Sequence, residues 1–283
     1  MSAVLIVNPY ATNVTEERLA AVAAVLSPHE LVRTRAAGEA TVIARELPAG
    51  VDTVYVFSGD GTYNEVLNGL ARDVTLGFLP GGGTSVLPRA LGLPRNPVAA
   101  ARALALGRTR RIGLGRVNGR RFAFNAGLGL DAELVRMVDG LGRNANGKRP
   151  GDSAFVRVGI KALARHHFRL DPVLELVGIG RAAFAMAANC SPYTYAGRVG
   201  LKLAPGASFD GGIDIVAPER VLVLPVLGWW ALGRGRRHVR AHDADRVEAR
   251  CDHSLPLQVD GEDIGDHDHV VFEAERDAVT VLV

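Results

Sequence analysis

The sequence predicts two structural parts: an open α/β sheet over about the first 110 residues, and antiparallel β structure after them. Apolar strand-like runs alternate with helical patterns as far as Gly107, which is typical of a parallel sheet covered by helices. Beyond that point, short alternating runs are separated by tight turns such as Asn118-Gly119, a strong hairpin signal. We therefore place domains at residues 1–110 and 111–274, and we expect a tail of about 275–283 to complete the first domain.

In the first part, four strands and four helices follow one another. The predicted strands are residues 3–7, 31–34, 51–57 and 74–79, and the predicted helices are residues 16–26, 39–47, 64–70 and 98–106. The first helix would bury Leu19, Ala23 and Leu26 on one face. Asn13 is a candidate cap for its start.

In the second part, two hairpins are the clearest features. Residues 110–117 and 120–124 flank Asn118-Gly119, and residues 173–177 and 182–188 flank a turn at 178–180. Residues 141–153 are rich in Gly, Asn and basic side chains, so we expect a mobile loop there.

Composition excludes several classes of protein. The net charge of the 283 residues is only +3, and Arg is interspersed with acidic residues, so we expect no nucleic-acid partner. Cys190 and Cys251 lie far apart, which argues against a disulfide framework and for the cytoplasm. The first residues lack the basic region of a signal peptide. The longest apolar stretch, 221–232, is too short to span a bilayer.

The sharpest motif follows the third predicted strand. It consists of Ser58, Gly59, Asp60, Gly61 and Thr62. Glycines let a backbone approach phosphate closely, and a following helix offers free N–H groups. Asp60 would organise either a metal ion or a neighbouring loop. No Lys follows, so this is not a Walker A loop, and an ordinary Asp-Gly turn carries about equal weight.

Two further loops follow predicted strands one and four. Asn8, Pro9, Tyr10, Ala11 and Thr12 follow the first, and a Pro-Gly-Gly-Gly-Thr-Ser loop at 80–85 follows the fourth. The carboxyl ends of parallel strands meet at one edge of a sheet, where open α/β sheets bind ligands. One phosphate chain would therefore touch all three loops.

Two acidic turns stand out in the second part. Asp210 and Asp214 flank a glycine turn, whose carboxylates and carbonyls suit a hard cation such as Mg²⁺. By itself this turn is better explained as an ordinary Asp-Gly turn. In the second, Asp260-Gly261-Glu262, Glu262 is either part of a hairpin turn or a general base for an attacking hydroxyl.

Together these segments resemble the diacylglycerol kinase catalytic family, which includes bacterial lipid kinases and sphingosine kinases. Residues 8–12 resemble its Asn-Pro-x-Ser-Gly motif, 33–40 its Thr before Gly-Asp-Ala, and 58–64 its Gly-Gly-Asp-Gly-Thr-x-Asn motif. Residues 80–92, 125–132, 204–214 and 260–262 resemble its later motifs in the same order. Ser58 replaces the first glycine of the family's diglycine, and Gly83 stands where the family usually has Thr.

The resemblance implies a Rossmann-like nucleotide domain of the NAD-kinase and diacylglycerol-kinase type, followed by an antiparallel β-sandwich, with the active site in the cleft between them. ATP is the implied cosubstrate and Mg²⁺ the cofactor. The γ-phosphate would pass to a lipid hydroxyl that Glu262 deprotonates, diacylglycerol giving phosphatidic acid. Asp60 is the second implied catalytic residue.

The implied binding residues fall into two sets. The nucleotide would contact Asn8, Pro9, Tyr10, Ala11, Thr12, Thr34, Ser58, Gly59, Asp60, Gly61, Thr62, Tyr63, Asn64, Gly82, Gly83 and Thr84. The metal ion would contact Ala207, Asp210 and Gly212. Ala207 and Gly212 offer only backbone carbonyls, so this metal site would depend on Asp210.

Several alternatives stay open. The acceptor would be a sphingoid base, ceramide or another lipid alcohol if not diacylglycerol. A catalytically silent nucleotide- or lipid-binding protein is disfavoured because Asp60 and Glu262 are both present, and the motifs of the second part disfavour an NAD-kinase-like activity.

The lipid would be reached peripherally at a membrane surface, and a homodimer is kept open. Trp229 and Trp230 in the segment 221–237 suit a membrane interface, but a core helix is favoured.

Overall fold

The computed structural model describes residues 2–142, 152–167, 169–197, 199–222 and 239–283. The chain forms two compact units. Unit 1 comprises Met1–Leu114 and Arg276–Val283, and unit 2 comprises Gly115–Glu275. The loop predicted at 141–153 and the tryptophan segment predicted at 221–237 fall largely on 143–151 and 223–238, which lie outside the described residues.

Unit 1 is built on a parallel sheet. In chain order its elements are β1 (Ser2–Val7), α1 (Glu16–Leu26), β2 (Glu30–Arg33), α2 (Glu39–Arg45), β3 (Val51–Ser58), α3 (Asp60–Gly69), β4 (Thr75–Pro80), α4 (Val86–Ala90) and α5 (Pro97–Leu104). β1 pairs in parallel with β2 and β3, and β3 pairs in parallel with β4. Near the end of the chain, Thr280 and Val281 pair in parallel with Thr75 and Leu76 of β4. The central strands are apolar and buried, as strands covered on both faces must be.

Unit 2 is dominated by antiparallel strands. In chain order its elements are β5 (Thr109–Val117, which begins in unit 1), β6 (Arg120–Phe122), β7 (Asn125–Leu128), α6 (Leu130–Asp139), α7 (Asp152–Arg165), β8 (Arg169–Leu170), β9 (Leu174–Leu176), β10 (Gly180–Ala182), β11 (Ala185–Ala188), β12 (Thr194–Ala196), β13 (Val199–Leu201), β14 (Ile213–Val216), β15 (Val221–Leu222), β16 (Val239–Ala244), β17 (Arg246–Val259) and β18 (Glu262–Leu282, which ends in unit 1). The strand order is β16-β14-β11-β7-β17-β18, with β9 paired to β17 and β10 paired to β9. A large apolar cluster that includes Phe122 and Phe272 forms its core.

The predicted fold class, an α/β part followed by antiparallel β structure, is confirmed. The hairpin predicted at Asn118-Gly119 joins β5 to β6, with φ of +47° and +85° at the two turn residues. Positive φ at both positions is what a two-residue hairpin turn of this kind needs. The second predicted hairpin joins β9 to β10, but the run 182–188 splits, and β11 pairs instead with β7 and β14.

Several predicted helices need correction. Thr15, not Asn13, caps α1, because its hydroxyl oxygen accepts a hydrogen bond from the backbone N–H of Arg18. The helix buries Leu19 and Val22 rather than Leu19, Ala23 and Leu26. The helix predicted at 64–70 begins earlier, since α3 starts at Asp60 with Gly59 as its N-cap. The helices α4, α6 and α7 were not predicted at all.

Candidate functional site

Hydrogen bonds join the three predicted loops of unit 1 at the carboxyl ends of β1, β3 and β4. The side-chain amide of Asn8 donates to the hydroxyl oxygen of Thr62 at 3.2 Å. The backbone N–H of Asn13 donates to the carbonyl of Gly81 at 2.8 Å, and its side-chain amide donates to the carbonyl of Gly82 at 2.7 Å. Asn13, proposed as a helix cap, therefore fastens the first loop to the third.

The second and third loops touch backbone to backbone. The N–H of Gly81 donates to the carbonyl of Ser58 at 2.6 Å. A methyl group on Gly82 would lie 2.8 Å from Cα of Gly59, and one on Gly59 would lie 3.3 Å from Cα of Gly82. Real side chains essentially never approach a backbone carbon to 2.8 Å, so glycine at position 82 permits the contact.

The first loop is held in a turn. The side-chain oxygen of Asn8 accepts a hydrogen bond from the backbone N–H of Tyr10 at 2.9 Å, and its carbonyl accepts one from the N–H of Ala11 at 3.2 Å. This is an Asx turn, which fixes a loop without any ligand. Tyr10 and Thr12 are exposed, while Pro9 and Ala11 are half-buried.

Asp60 organises a neighbouring loop. Its two carboxylate oxygens accept hydrogen bonds from the backbone N–H groups of Val86 at 3.0 Å and Leu87 at 3.2 Å. An acidic side chain at a helix start satisfies N–H groups that the helix itself leaves unpaired. Of the two interpretations that the sequence left open for Asp60, the contacts show the one in which it holds the loop before α4.

Thr62 connects the first and second loops. Its hydroxyl oxygen accepts from the hydroxyl of Ser58 at 2.8 Å as well as from Asn8. Ser58 and Thr62 are both buried, with exposed fractions of 1% and 6%. A hydroxyl that accepts in this way still has one hydrogen to donate.

Besides Ser58 and Thr62, three more residues predicted to contact the nucleotide have buried side chains. The hydroxyl of Tyr63 lies 2.7 Å from the carbonyl of Ser58 and 2.6 Å from that of Leu79, and burial raises the pKa of Tyr63 well above its ordinary value. Asn64 and Thr34 are also buried. A nucleotide contact from Tyr63 would therefore have to come from its backbone, because its side chain ties β3 to β4.

Gly61, Gly83 and Thr84 are exposed in the same loops. A methyl group built on Gly61 or Gly83 would meet no atom within 4 Å. The backbone is therefore open to solvent next to the first turn of α3. An incoming phosphate needs open space of this kind close to backbone N–H groups.

In unit 2, Asp260 anchors the turn that carries Glu262. Its carboxylate accepts hydrogen bonds from three consecutive backbone N–H groups, those of Ala123 at 2.7 Å, Phe124 at 3.0 Å and Asn125 at 3.1 Å. Asp260 and Gly261 both have positive φ, +48° and +80°. The three bonds hold Asp260 in this left-handed conformation, which is costly for a residue other than glycine.

Gln258 holds the same turn from the other side, a role that sequence reasoning missed. Its side-chain oxygen accepts from the N–H of Gly261 at 2.8 Å. Its amide nitrogen donates to the side-chain oxygen of Asn125 at 2.9 Å and to the carboxylate of Asp131 at 2.7 Å. Tyr193 donates to that carboxylate at 2.6 Å.

Asp131 is partly buried in this network. Burial raises the pKa of its carboxyl group, and the hydrogen bonds from Tyr193 and Gln258 oppose the rise. Burial and the nearby Asp131 in turn raise the pKa of Tyr193 well above its ordinary value. A methyl group on Gly127 would overlap the Asp131 carboxylate. In the sequence, the spacing of Asn125, Gly127 and Asp131 was the signal that could have indicated this network.

Glu262, the predicted base, is half-exposed. Its carboxylate lies 2.7 Å from the guanidinium of Arg120, and the exposed fraction of the Glu262 side chain is 52%. The carboxylate is thus accessible to a substrate hydroxyl and is paired with a cation. Sequence reasoning did not single out Arg120.

The predicted metal turn is a tight loop before β14. The N–H of Ala207 donates to the carbonyl of Ala204, and the N–H of Gly212 donates to the carboxylate of Asp243 at 2.6 Å. Asp210 is exposed, and its N–H bonds to the hydroxyl of Ser208.

The donor set of this turn is one exposed carboxylate with backbone carbonyls. Mg²⁺ keeps several waters and takes one or two carboxylates, so this donor set fits a hydrated ion. Among the described residues, no group of three or more His, Cys, Asp and Glu side chains is placed to hold a metal ion. An ion there would therefore depend on Asp210, carbonyl groups and water.

Comparison with known proteins gives the family. Residues 2–117 match the diacylglycerol kinase catalytic domain. A diacylglycerol kinase of Bacillus subtilis is 30% identical over 266 residues, which cover 86% of this chain and 85% of that protein. A Pseudomonas aeruginosa protein named "probable lipid kinase YegS-like" is 44% identical over 89 residues, covering 30% of this chain and 29% of that protein.

The fold agrees with a solved structure. A crystal structure of a diacylglycerol kinase from Bacillus anthracis superposes with a TM-score of 0.72 at 21% identity, covering 99% of this chain and 96% of the other. At this identity the likeness shows that the two proteins share a fold. The chain belongs to the diacylglycerol kinase family. No helix in the described part of the chain is both long and apolar enough to cross a membrane.

Proposed function

We propose that the protein transfers the γ-phosphate of ATP to the hydroxyl group of a lipid, with diacylglycerol as the preferred acceptor and phosphatidic acid as the product. Unit 1 is the ATP-binding domain in this proposal, and unit 2 is the lipid-substrate domain. The observation that carries the proposal is the meeting of three loops in unit 1, fastened by Asn8 and Asn13, in a chain of a lipid kinase family.

The loops supply what a triphosphate needs. Gly61 and Gly83 offer open backbone, and Thr84 offers an exposed hydroxyl one position beyond Gly83. The first turn of α3 adds N–H groups that the helix leaves unpaired, together with the positive end of its dipole. Asp60 keeps the third loop in place by capping α4, so its contribution to nucleotide binding is positional in this proposal.

Glu262 acts on the acceptor. Its exposed carboxylate takes the proton of the lipid hydroxyl as the oxygen attacks the γ-phosphorus, and ADP leaves with the electron pair of the broken bond. Asp260 and Gln258 fix the backbone that presents the carboxylate. Pre-fixed geometry of this kind accounts for much of the rate in phosphoryl transfer, where positioning and charge stabilisation dominate.

Ala207, Asp210 and Gly212 would hold Mg²⁺. Bound there, the ion would supply positive charge that offsets the negative charge of the phosphates. Asp210 is the residue of that turn whose substitution should weaken metal binding most.

A second acceptor class has some support. The similarity to a protein described only as a lipid kinase, without a stated acceptor, keeps sphingoid bases, ceramide and other lipid alcohols as candidates. A lipid acceptor implies work at a membrane surface, and a homodimer is compatible with this proposal.

The test is transfer of labelled phosphate from γ-labelled ATP, with Mg²⁺, to lipids in mixed micelles. Diacylglycerol, monoacylglycerol, sphingosine, ceramide and phosphatidylglycerol are offered separately, each with and without a metal chelator. We expect one labelled product, phosphatidic acid, that disappears with chelator. ATP binding without transfer to any lipid would favour a non-catalytic binding protein instead.

A further inference from the structure

Two adjacent arginines on the β5–β6 hairpin make different ion pairs. Arg120 follows the Asn118-Gly119 turn, and its guanidinium lies 2.7 Å from the Glu262 carboxylate. The next residue, Arg121, pairs at 2.5 Å with Glu275. Neighbouring residues on a strand point to opposite faces, so only the first of these pairs involves the proposed base.

A cation near Glu262 would favour the proposed reaction. A general base lies within about 2.6–3.2 Å of the hydroxyl oxygen whose proton it takes. That same oxygen forms the new bond to phosphorus. A carboxylate and an anionic phosphoryl group must therefore approach one atom together, and their repulsion opposes the step unless a positive charge lies beside them.

The charge balance changes during the step. Before transfer, Glu262 is ionised and paired with Arg120. The acceptor O–H bond breaks as the O–P bond forms, the proton moves to Glu262, and ADP takes the electron pair of the broken Pγ–O bond. Glu262 is then neutral, so its ion pair with Arg120 is lost at the moment when a phosphate monoester has formed beside it.

We propose that Arg120 is a further functional residue of this site: it orients the Glu262 carboxylate before transfer and binds the new phosphate of the lipid product after it. The inference rests on the proposed function, and in particular on Glu262 as the base. A guanidinium suits both partners, because its planar donors match carboxylate and phosphate oxygens alike.

The opposing view is that this is an ordinary surface ion pair. The side chains of Arg120 and Glu262 are 34% and 52% exposed, and exposed pairs contribute little to stability. Stability measurements therefore cannot decide the matter, whereas the kinetics of transfer and of product inhibition can.

The experiment compares Arg120→Gln, Arg120→Lys and Arg121→Gln with the wild-type protein. Each is assayed for kcat, for the KM of ATP, and for inhibition by the phosphorylated lipid isolated from the wild-type reaction. For Arg120→Gln we expect kcat to fall by roughly 10- to 100-fold, the effect of losing one hydrogen bond to a charged group. The KM of ATP should be unchanged, and product inhibition should weaken by about tenfold or more.

The other two variants serve as controls. Arg120→Lys keeps the charge and should recover part of kcat and of the product inhibition, which also covers the case in which Arg120→Gln fails to fold. Arg121→Gln removes a neighbouring ion pair from the same strand and should keep kcat within about twofold of wild type, since its partner Glu275 is not the proposed base.

Two outcomes overturn the inference. If Arg120→Gln has wild-type kcat and product inhibition while Glu262→Gln is inactive, Arg120 has no part in the reaction and the proposed function stands. If Glu262→Gln is as active as the wild-type protein, the proposed base is wrong and the role of Arg120 is lost with it.

Discussion

Replacing Asp60 with asparagine should separate its structural role from a direct role in catalysis. In the wild-type protein, one carboxylate oxygen accepts from Val86 and the other from Leu87. Asparagine keeps one acceptor and turns an NH₂ group towards the second N–H, so one charge-assisted hydrogen bond is lost. Hydrogen bonds to charged groups contribute about 1.5–3 kcal/mol and helix caps about 0.5–2 kcal/mol. We expect the free energy of unfolding to fall by about 2 kcal/mol. A fall of this size lowers the Tm of a domain as large as unit 1 by roughly 5–10 °C.

The assay is thermal unfolding in the absence of nucleotide and metal. Asp52→Asn is the matched control, because Asp52 is exposed and accepts one surface hydrogen bond from Ser2; its Tm should stay close to that of the wild-type protein. A direct contact of Asp60 with metal or nucleotide has no effect under these conditions. The capping role is refuted if Asp60→Asn unfolds at the wild-type temperature yet loses activity.

Two further predictions concern single positions. Gly82→Ala should destabilise the protein by about 1–3 kcal/mol and raise the KM of ATP, because its methyl group would lie 2.8 Å from Cα of Gly59. The control is Gly83→Ala, whose methyl group meets open space, so this variant should unfold like the wild-type protein. Equal Tm values for the two variants would contradict the close approach of Gly82 to Gly59. Glu275 has its pKa lowered from 4.5 to about 2, chiefly by its hydrogen bond with Arg121. Its ion pairs therefore stabilise the fold above the pKa of the unfolded carboxyl group, and this stability is lost as the pH falls from about 5 to 2. Glu275→Gln should flatten that part of the stability profile measured by urea unfolding, and an unchanged profile would contradict the assignment.

Local pattern was enough to predict the framework of unit 1. The strands β1, β3 and β4 are buried on both faces, so their continuous apolar runs locate them. The short helix α4 was missed because five residues carry no periodic signal. It is held by Asp60, 26 residues earlier in the chain, and no local window contains that contact.

The helix α6 was missed for a different reason. Turn signals and short strands dominate its surroundings, although Asp131 and Glu133 form an acidic first turn that indicates a helix start. The contacts of Asp131 could not be predicted from the sequence alone, since Gln258 lies 127 residues away in the chain. The residues that shape the Glu262 turn are therefore brought together by sheet topology rather than by local sequence.

The loops of unit 1 could be identified in advance because all three follow strands of one parallel sheet. What the sequence could not show is how they are joined. The side chain of Asn13 bonds to the third loop instead of capping the helix that follows it. Tyr63 lies in the core although it belongs to the most specific motif. Both outcomes depend on packing between segments distant in the chain.

The most direct test of this account compares the wild-type protein with Glu262→Gln in two assays on the same preparation: binding of ATP by calorimetry, and transfer of labelled phosphate to the lipid that the wild-type protein phosphorylates. The substitution keeps the size of the side chain and removes its ability to accept a proton. We predict ATP affinity within about twofold of wild type and a loss of transfer of at least roughly 100-fold, as for removal of a general base. Transfer at the wild-type rate by Glu262→Gln would contradict the account, because the lipid hydroxyl would then be activated by another group.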